Sequence, residues 1–386
     1  MSDLEPLSVL TFGAGAIGTY IGGSLALAGH RVVFIEQPAV AAELRERGLR
    51  LDLTIIDERR KTNEPFVVRP SSFACIDSLA EALKLGPFDA AIFALKSFDT
   101  APALEGMKPY AEKLPPVLCL QNGVDNESAI AAALGADKVI YGTVTSSIGR
   151  RAAGDIVLER LRGVGVACPA CASLPWRPGQ GAAPSWPGRD RAGTGEPSRK
   201  ELSERLIAAL DGAYLNARLY PRAADMKWSK MLTNLLGNAT AAILDMTTAE
   251  VYANPALYWL ERQMLREALD VMAAQGIHAV DLPKTPVRAL ALAARLPASI
   301  ARSLMVKAVG GGRGGKMPSF HIDLHSGRGK SEVDYLNGAV VRDGEKYGVP
   351  TPVNRVLNNT LLALTRGEIP LTEFSRQPEK LLALVK

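Results

Sequence analysis

Several features that mark specialised classes of protein are scarce or missing in this 386-residue chain. No stretch of about 20 uncharged apolar residues occurs, so we expect no transmembrane helix, and the polar N-terminal residues predict no signal peptide. Only four cysteines are present, which fits a reduced, cytoplasmic protein. The net charge of +5 is too diffuse to predict binding of nucleic acid or a membrane, although it suits an anionic cofactor and substrate.

The cysteines divide into two kinds. Cys75 and Cys119 stand alone in apolar stretches and are predicted to fill the core. Cys168 and Cys171 form a CxxC pair, which a redox site or half of a zinc site would both explain. Because neither a second CxxC nor an H-x-x-x-H pair is expected to complete a zinc site, we expect no metal site.

The stretch 168–200 differs in composition from the rest of the chain, since it is dense in proline, glycine, alanine and arginine. Such a composition cannot bury enough surface to offset its ordering entropy, which predicts a disordered insertion at a loop tip. The alternative is an irregular docked loop anchored by Trp176 and Trp186.

The N-terminal segment predicts a strand, a glycine turn, a helix and a second strand in that order. The apolar run Leu7–Phe12 is followed at once by the sequence GAGAIG, then by a helical pattern to Leu27 and by the strand Arg31–Ile35. Glu36 ends this second strand. This is the context that a dinucleotide-binding fingerprint requires.

Buried, mostly apolar strands are predicted to continue at Phe88–Leu95, Val117–Leu120 and Val139–Val144, and Ala217–Tyr220 is predicted as the last strand of the first domain. Apolar strands separated by helical segments indicate a parallel sheet covered on both faces. We therefore predict an α/β N-terminal Rossmann-type doubly wound parallel sheet over residues 1–222.

From residue 223 to residue 386 the pattern is helical, which predicts an all-α C-terminal domain. The expected helices are Met226–Leu244, Thr248–Gly276, Glu332–Gly348 and Pro352–Thr365, and the run Gly310–Gly315 predicts a flexible loop.

Each glycine of the turn has a predicted role in binding a dinucleotide. Gly13 permits the tight turn, Gly15 lets the pyrophosphate approach the backbone, and Gly18 lets the helix pack on the strand. Ala16 and Ile17 begin the helix, where free N–H groups and the helix dipole favour an anion.

Glu36 stands where the adenosine ribose is expected. A carboxylate there accepts hydrogen bonds from the ribose hydroxyls and repels a 2′-phosphate, which slightly favours NAD(H) over NADP(H). The alternative is that Glu36 faces solvent while Arg45 or Arg47 meets a phosphate.

Lys230, Asn234 and Asn238 are spaced four residues apart and are predicted to form one stripe on a mostly buried helix. Buried polar groups need partners, and a bound polar substrate would supply them. Hydrogen bonds to the first domain would also satisfy them.

Ser331 and Asp334 fit an S-x-x-D capping box, which places Glu332 in the first turn of the next helix. There the helix dipole favours a carboxylate, and this capping role alone would explain Glu332. A helix N-terminus beside a cleft would give Glu332 a catalytic role as well.

The chain resembles the ketopantoate reductase (2-dehydropantoate 2-reductase) family. The motifs that carry the resemblance are GAGAIG at 13–18, ALKSFDT at 94–100, QNGVDNE at 121–127, KMLTNLLGN at 230–238 and PSFHIDLHSGRGKSEVDYLNG at 318–338. The resemblance implies a cytoplasmic NADP(H)-dependent reductase that converts 2-dehydropantoate to (R)-pantoate in pantothenate and coenzyme A synthesis, with its active site between the two domains.

The resemblance also implies roles for individual residues. Lys230 matches the catalytic proton donor, and Glu332 matches an acidic residue that positions substrate and lysine. The other matches are Asn234, Asn238 and Ser319 at substrate-binding positions, and Lys96 and Asn122 at the nicotinamide end of the site. Helical second domains of this kind often pair, so a homodimer is expected.

Three departures from the family pattern bear on function: Glu36 replaces a common basic residue, Phe320 replaces a usual methionine, and the stretch 168–200 is unusual. Two other readings therefore stay open. One is a paralogous dehydrogenase of another small 2-keto or hydroxy acid. The other is a non-catalytic dinucleotide-sensing protein.

Overall fold

A computed structural model of the chain describes residues 5–53, 64–167, 199–297 and 317–385. These residues form two compact units. The first comprises Met1–Leu95, Ala101–Gln121 and Glu127–Met226, and the second comprises Lys96–Thr100, Asn122–Asn126 and Lys227–Lys386. The CxxC pair, the Gly310–Gly315 loop and all of the expected insertion except residues 199 and 200, which begin a helix, lie outside the described residues.

The strands of the first unit are short and mostly apolar. They are β1 Ser8–Phe12, β2 Arg31–Ile35, β3 Leu49–Asp52, β4 Phe66–Val68, β5 Ala74–Ile76, β6 Ala90–Phe93, β7 Val117–Cys119, β8 Val139–Val144, β9 Ser147–Ala152, β10 Asp155–Arg160, β11 Val164–Ala167 and β12 Ala217–Tyr220. The helices up to residue 212 are α1 Ala16–Leu27, α2 Pro38–Arg47, α3 Leu79–Lys84, α4 Thr100–Met107, α5 Asn126–Leu134 and α6 Arg199–Gly212.

Eight of these strands form one sheet in the order β12-β11-β8-β7-β6-β1-β2-β5. Every neighbouring pair is parallel except β8 and β11, which are antiparallel. The order runs outward from β1 in both directions, which is the doubly wound arrangement. The predicted Rossmann-type fold is therefore confirmed.

The residues of the central strands alternate between two buried clusters. In β1, Val9 belongs to one cluster and Leu10 to the other, and in β2 Phe34 and Val33 divide in the same way. Successive side chains of a strand point to opposite faces, so both faces of the sheet are buried. Cys75 and Cys119 are buried members of these clusters, as predicted.

A second sheet, of order β4-β3-β10-β9, was not anticipated from the sequence. Its strands carry polar residues on one face: β10 alternates buried Ile156 and Leu158 with half-buried neighbours, and β9 is mostly exposed. A search for fully apolar runs misses such half-buried strands, whose signal is alternation.

The helices from residue 223 onward are α7 Ala223–Leu235, α8 Asn238–Leu244, α9 Thr248–Ala253, α10 Pro255–Ala274, α11 Val287–Arg295, α12 Ser319–His325, α13 Val333–Tyr347, α14 Pro352–Thr365 and α15 Pro378–Ala383. The predicted helical character of this region is confirmed. In the part of the chain that the structure describes, no helix combines the length and apolarity needed to cross a membrane.

The prediction of one continuous helix over Met226–Leu244 was wrong, because Gly237 breaks it. Gly237 has φ +62°, and a Cβ there would lie 2.6 Å from the Thr248 side chain. Its N–H donates to the buried carboxylate of Glu261 at 2.6 Å, and Thr240 Oγ1 and Tyr252 donate to the same carboxylate. The break between α7 and α8 is therefore built into the core of the second unit.

The predicted helix Thr248–Gly276 is also two helices. Asn254 is extended and its side chain caps α10 by accepting from the N–H groups of Ala256 and Leu257 at 2.9 and 3.3 Å. Pro255 has no N–H to continue the preceding helix and disfavours helical geometry at Asn254. The Asn-Pro pair was the signal that the periodicity obscured.

Candidate functional site

The glycine turn between β1 and α1 is shaped as the fingerprint predicts. Gly13 has φ +91°, and a Cβ at Gly18 would lie 1.9 Å from the Gly13 carbonyl oxygen. Both positions therefore require glycine. A Cβ at Gly15 would meet no atom within 4 Å, so the space in front of the turn is open on that side.

The helix α1 begins at Ala16, and its N-cap Gly15 supplies no side-chain cap. The first N–H groups of a helix, here including those of Ala16 and Ile17, have no partner within the helix itself. An open approach at Gly15 and a helix N-terminus without a side-chain cap together fit a pyrophosphate.

Glu36 lies directly beside the glycine turn. One of its carboxylate oxygens accepts from the Ala14 N–H, and the other accepts from the Gln37 N–H at 3.0 Å. The nearby arginines have carboxylate partners of their own: Arg45 pairs with Asp77 at 3.1 Å and Arg47 with Glu43 at 2.8 Å.

In the second unit, Lys96, Ser97, Asp323 and Glu332 form a compact group, here called the Lys96 cluster. Lys96 Nζ donates to Glu332 Oε2 at 2.9 Å and to Asp323 Oδ2 at 3.0 Å. The Ser97 N–H donates to Glu332 Oε1 at 3.2 Å. Glu332 is only 4% exposed, so its carboxylate is held by an ammonium and a backbone donor away from water.

Burial and the neighbouring charges shift the pKa values of Lys96 and Asp323. Burial alone lowers the pKa of Lys96, but the charges of Glu332 and Asp323 and their hydrogen bonds outweigh it, so the pKa lies above its ordinary value. Burial raises the pKa of Asp323, and Lys96 offsets only part of that rise. Lys96 is therefore a fixed cation at neutral pH.

The predicted capping box at Ser331 and Asp334 was wrong. Glu332 itself is the N-cap residue of α13 and makes no side-chain capping bond, while Ser331 Oγ accepts from the Val333 N–H at 3.2 Å. Asp334 pairs with Arg342 at 3.1 Å. The Glu332 carboxylate is thus directed to Lys96 and Ser97 rather than to its own helix.

A hydrogen-bonded path leads from the Lys96 cluster to α7. Ser97 Oγ lies 3.1 Å from Glu332 Oε1 and 3.2 Å from the Asn122 carbonyl oxygen, so its proton goes to one of the two. Asn234 Nδ2 donates to Asn122 Oδ1 at 2.9 Å. Lys230 lies one turn before Asn234 on α7, on the same face, and is half-buried.

Asn238 and Ser319 form a second pair. Asn238 Nδ2 lies 3.3 Å from Ser319 Oγ, and Asn238 Oδ1 accepts from the Phe320 N–H at 3.1 Å. Because α8 is separate from α7, Asn238 does not continue a helical stripe with Lys230 and Asn234 as predicted. It instead contacts the start of α12, the helix that supplies Asp323 to the Lys96 cluster.

Two residues of this region were missed in the sequence, although both lie in motifs singled out there. Asp323 lies four residues after Ser319, on the same side of a helix. Asn126, four residues after Asn122, donates to the Asn122 carbonyl oxygen at 2.7 Å and to Ser97 Oγ at 3.1 Å. Both are polar residues spaced four from a predicted site residue, which was the available signal.

Comparison with known proteins identifies relatives along nearly the whole chain. A 2-dehydropantoate 2-reductase of Archaeoglobus fulgidus is 27% identical over 362 residues, covering 93% of this chain and 97% of the relative. One of Streptococcus pyogenes is 23% identical over 353 residues, covering 91% and 95%.

Solved structures share the fold. A PanE/ApbA family ketopantoate reductase of Ralstonia eutropha has a TM-score of 0.69 at 23% identity, over 94% of this chain and 99% of that one. A D-mandelate dehydrogenase with NADH and anilino(oxo)acetate has a TM-score of 0.67 at 20% identity, over 93% and 99%.

Two family models match the two halves of the chain. The N-terminal model of ketopantoate reductase PanE/ApbA matches residues 9–167, and the C-terminal model matches residues 222–365. With the relatives named above, these matches establish an oxidoreductase that interconverts a keto and a CH–OH group with a nicotinamide cofactor, which sets aside the non-catalytic reading. The chain therefore belongs to the ketopantoate reductase PanE/ApbA family.

Proposed function

We propose that this protein reduces the ketone of 2-dehydropantoate to (R)-pantoate with NADPH or NADH. Relatives that carry this name match more than nine-tenths of the chain. The observation that carries the proposal is the path from Glu332 through Ser97 and Asn122 to Asn234, on the helix that holds Lys230. The path lies within the second unit and reaches the helix on which Lys230 stands one turn before Asn234.

In the proposed reaction Lys230 is the general acid. A nicotinamide cofactor, when bound, would supply the hydride to the carbonyl carbon. The Lys230 ammonium hydrogen-bonds the carbonyl oxygen, stabilises its developing negative charge and donates the proton that completes the alcohol. Lys96 is a poor candidate for this step, because its carboxylate partners raise its pKa and occupy its ammonium.

The remaining polar residues bind and position the substrate in this proposal. The carboxamides of Asn234 and Asn238 and the hydroxyl of Ser319 offer the donors and acceptors that a carboxylate and a hydroxyl group require. Glu332 is a positioning residue, since its bonds to Lys96 and Ser97 fix the segment that leads to Asn122. Lys96 and Asn122 are assigned to the nicotinamide end of the site.

For the cofactor, the family resemblance favours NADP(H), whereas Glu36 favours NAD(H). The Glu36 carboxylate lies at the glycine turn, and Arg45 and Arg47 are already paired with carboxylates. The 2′-phosphate of NADP(H) would therefore meet the negative charge of Glu36 beside the turn. Arg45 and Arg47 would have to leave their carboxylate partners to offset that repulsion. We propose that the enzyme accepts both cofactors with a modest preference for NADH.

A second candidate is a paralogous reductase of another 2-keto acid. The D-mandelate dehydrogenase structure, solved with anilino(oxo)acetate and NADH, supports it as a fold neighbour whose ligand is larger and aromatic. Phe320 is fully buried next to Ser319, where the family pattern has methionine.

The expected homodimer stays a prediction.

The decisive experiment follows NADH and NADPH oxidation against a panel of 2-keto acids that includes 2-dehydropantoate. We expect the highest kcat/KM for 2-dehydropantoate. Efficient turnover of another acid with none of 2-dehydropantoate would contradict the proposed substrate and support the paralogue.

The same assay tests the role of Lys230. The substitution Lys230→Ala should lower kcat by about 10²- to 10⁴-fold, the contribution of a general acid, while the dinucleotide Kd stays nearly unchanged. Lys346→Ala, which removes an exposed lysine from α13, is the matched control and should keep wild-type turnover. Equal losses of turnover and dinucleotide affinity in Lys230→Ala would contradict the assignment.

A further inference from the structure

Two histidines and an aspartate lie together in the second unit, apart from the residues assigned to the reaction. His321 and His325 are four residues apart on α12, and their ring centroids are 4.2 Å apart. Asp245, the residue that ends α8, places Oδ1 2.9 Å from His321 Nε2. One potential ligand atom from each residue lies within 4.8 Å of the other two.

We propose that Asp245, His321 and His325 bind one divalent first-row transition metal ion, with Zn²⁺ as the reference occupant. Two imidazoles and one carboxylate are a ligand set that such ions prefer, whereas Ca²⁺ and Mg²⁺ prefer oxygen ligands throughout. Histidines four residues apart share one helix face, which lets both rings reach one ion.

The distances are close to those that coordination requires. Ligands about 2.0–2.2 Å from a tetrahedral zinc ion lie about 3.3–3.5 Å from one another. Asp245 Oδ1 and His321 Nε2 are 2.9 Å apart. The ligand atom of His325 must move by roughly 1 Å, through a side-chain rotation, to reach the same spacing from them. His325 and Asp245 are exposed, so this adjustment meets little resistance and water can complete the shell.

A simple hydrogen bond between His321 and Asp245 is the competing explanation. It accounts for the 2.9 Å contact, but it requires nothing of His325. Chelation instead requires a third ligand atom close to the pair, and a ring nitrogen of His325 supplies one within 4.8 Å of the other two ligand atoms. The expectation that no H-x-x-x-H pair is present was wrong, because His321 and His325 have this spacing.

The site joins the two helices that hold the proposed substrate residues. Asp245 ends α8, which begins at Asn238, and both histidines belong to α12, which begins at Ser319. A bound ion would fix α12 on α8 and so stabilise the Asn238–Ser319 pair. This consequence rests on the proposed function, whereas metal binding itself does not.

Binding is tested on the full chain carrying Cys168→Ser and Cys171→Ser, which removes the cysteine pair as a rival site. Chelator-treated protein is titrated with Co²⁺, followed by d–d absorption, and with Zn²⁺, followed by calorimetry. We expect one equivalent per chain. His325→Ala and Asp245→Asn should each weaken binding at least about 100-fold, the upper range found even for outer-shell changes.

His278→Ala is the matched control, because His278 is an exposed histidine outside the cluster, and it should bind like the parent. No stoichiometric binding to the parent, or equal binding by His325→Ala, would overturn the proposal. In the keto-acid assay, Zn²⁺ should lower KM for the parent and not for His325→Ala. If the protein binds Zn²⁺ tightly but reduces no keto acid, the proposed metal site is supported and only the proposed function is refuted.

Discussion

Alanine substitutions at Gly18 and Gly15 should separate the packing of the glycine turn from its binding of a dinucleotide. At Gly18 the new Cβ would lie 1.9 Å from the Gly13 carbonyl oxygen and 3.0 Å from the Gly13 carbonyl carbon. Both are backbone atoms, so relief requires α1 to retreat from β1 by more than about 1 Å. Overpacking of this kind costs about 1–3 kcal/mol of unfolding free energy.

At Gly15 the same change is accommodated. The backbone is at φ −71°, which alanine adopts freely, and the Cβ would meet no atom within 4 Å. The substitution should leave the unfolding free energy unchanged or raise it by about 0.4–1 kcal/mol, because alanine restricts the unfolded chain. The methyl group would, however, occupy the space through which a pyrophosphate approaches the turn.

The assay combines urea denaturation of the cofactor-free protein with calorimetric titration of NADH and NADPH. Gly18→Ala should lower the denaturation midpoint, and Gly15→Ala should keep the midpoint but weaken both dinucleotides at least about tenfold, or 1.4 kcal/mol. Unchanged dinucleotide affinity in Gly15→Ala would show that the dinucleotide binds elsewhere. A Gly18→Ala protein as stable as the parent would refute the packing argument.

Three further predictions concern other parts of the molecule. Glu36→Arg should shift the ratio of kcat/KM for NADPH to kcat/KM for NADH toward NADPH. Its control is Glu36→Gln, which keeps an acceptor for the Ala14 N–H. An unchanged ratio in Glu36→Arg would mean that Glu36 does not meet the ribose. The capping bonds from Thr247 and the Arg376 guanidinium lower the pKa of Glu250 from 4.5 to about 2, so its stabilising effect is present above pH 4.5 and is lost as the pH falls toward 2. The difference in urea midpoint between the parent and Glu250→Gln should accordingly shrink between about pH 5 and pH 3, and a constant difference would contradict this. Deletion of 172–198, outside the described residues, should leave turnover intact, and a folded but inactive product would show that this segment is needed.

The relation between sequence and structure differs between the two units. The strands β2 and β8 begin and end where the sequence predicts, because a central parallel strand buried on both faces needs a mostly apolar segment. The edge strand β12 also has its predicted bounds, although Arg218 is exposed on it. The second sheet was not predicted because its strands are half-exposed. The breaks at Gly237 and Asn254 were not predicted because the apolar periodicity continues through them, although the positive φ of Gly237 and the proline after Asn254 end the helices there.

The sequence by itself determined six of the eight strands of the main sheet, the glycine turn with Glu36 at its side, and the identity of the polar residues around Lys230. These follow from local rules, since turn geometry and apolar patterning act between near neighbours. Only the tertiary structure decided that Glu332 pairs with Lys96, that Asp323 joins them, and that Asn238 contacts Ser319 rather than continuing a stripe. Buried polar groups bond to whichever partner the fold brings within reach. These partners are 81 to 236 positions apart in the sequence, so the pattern of neighbouring residues does not predict the pairing.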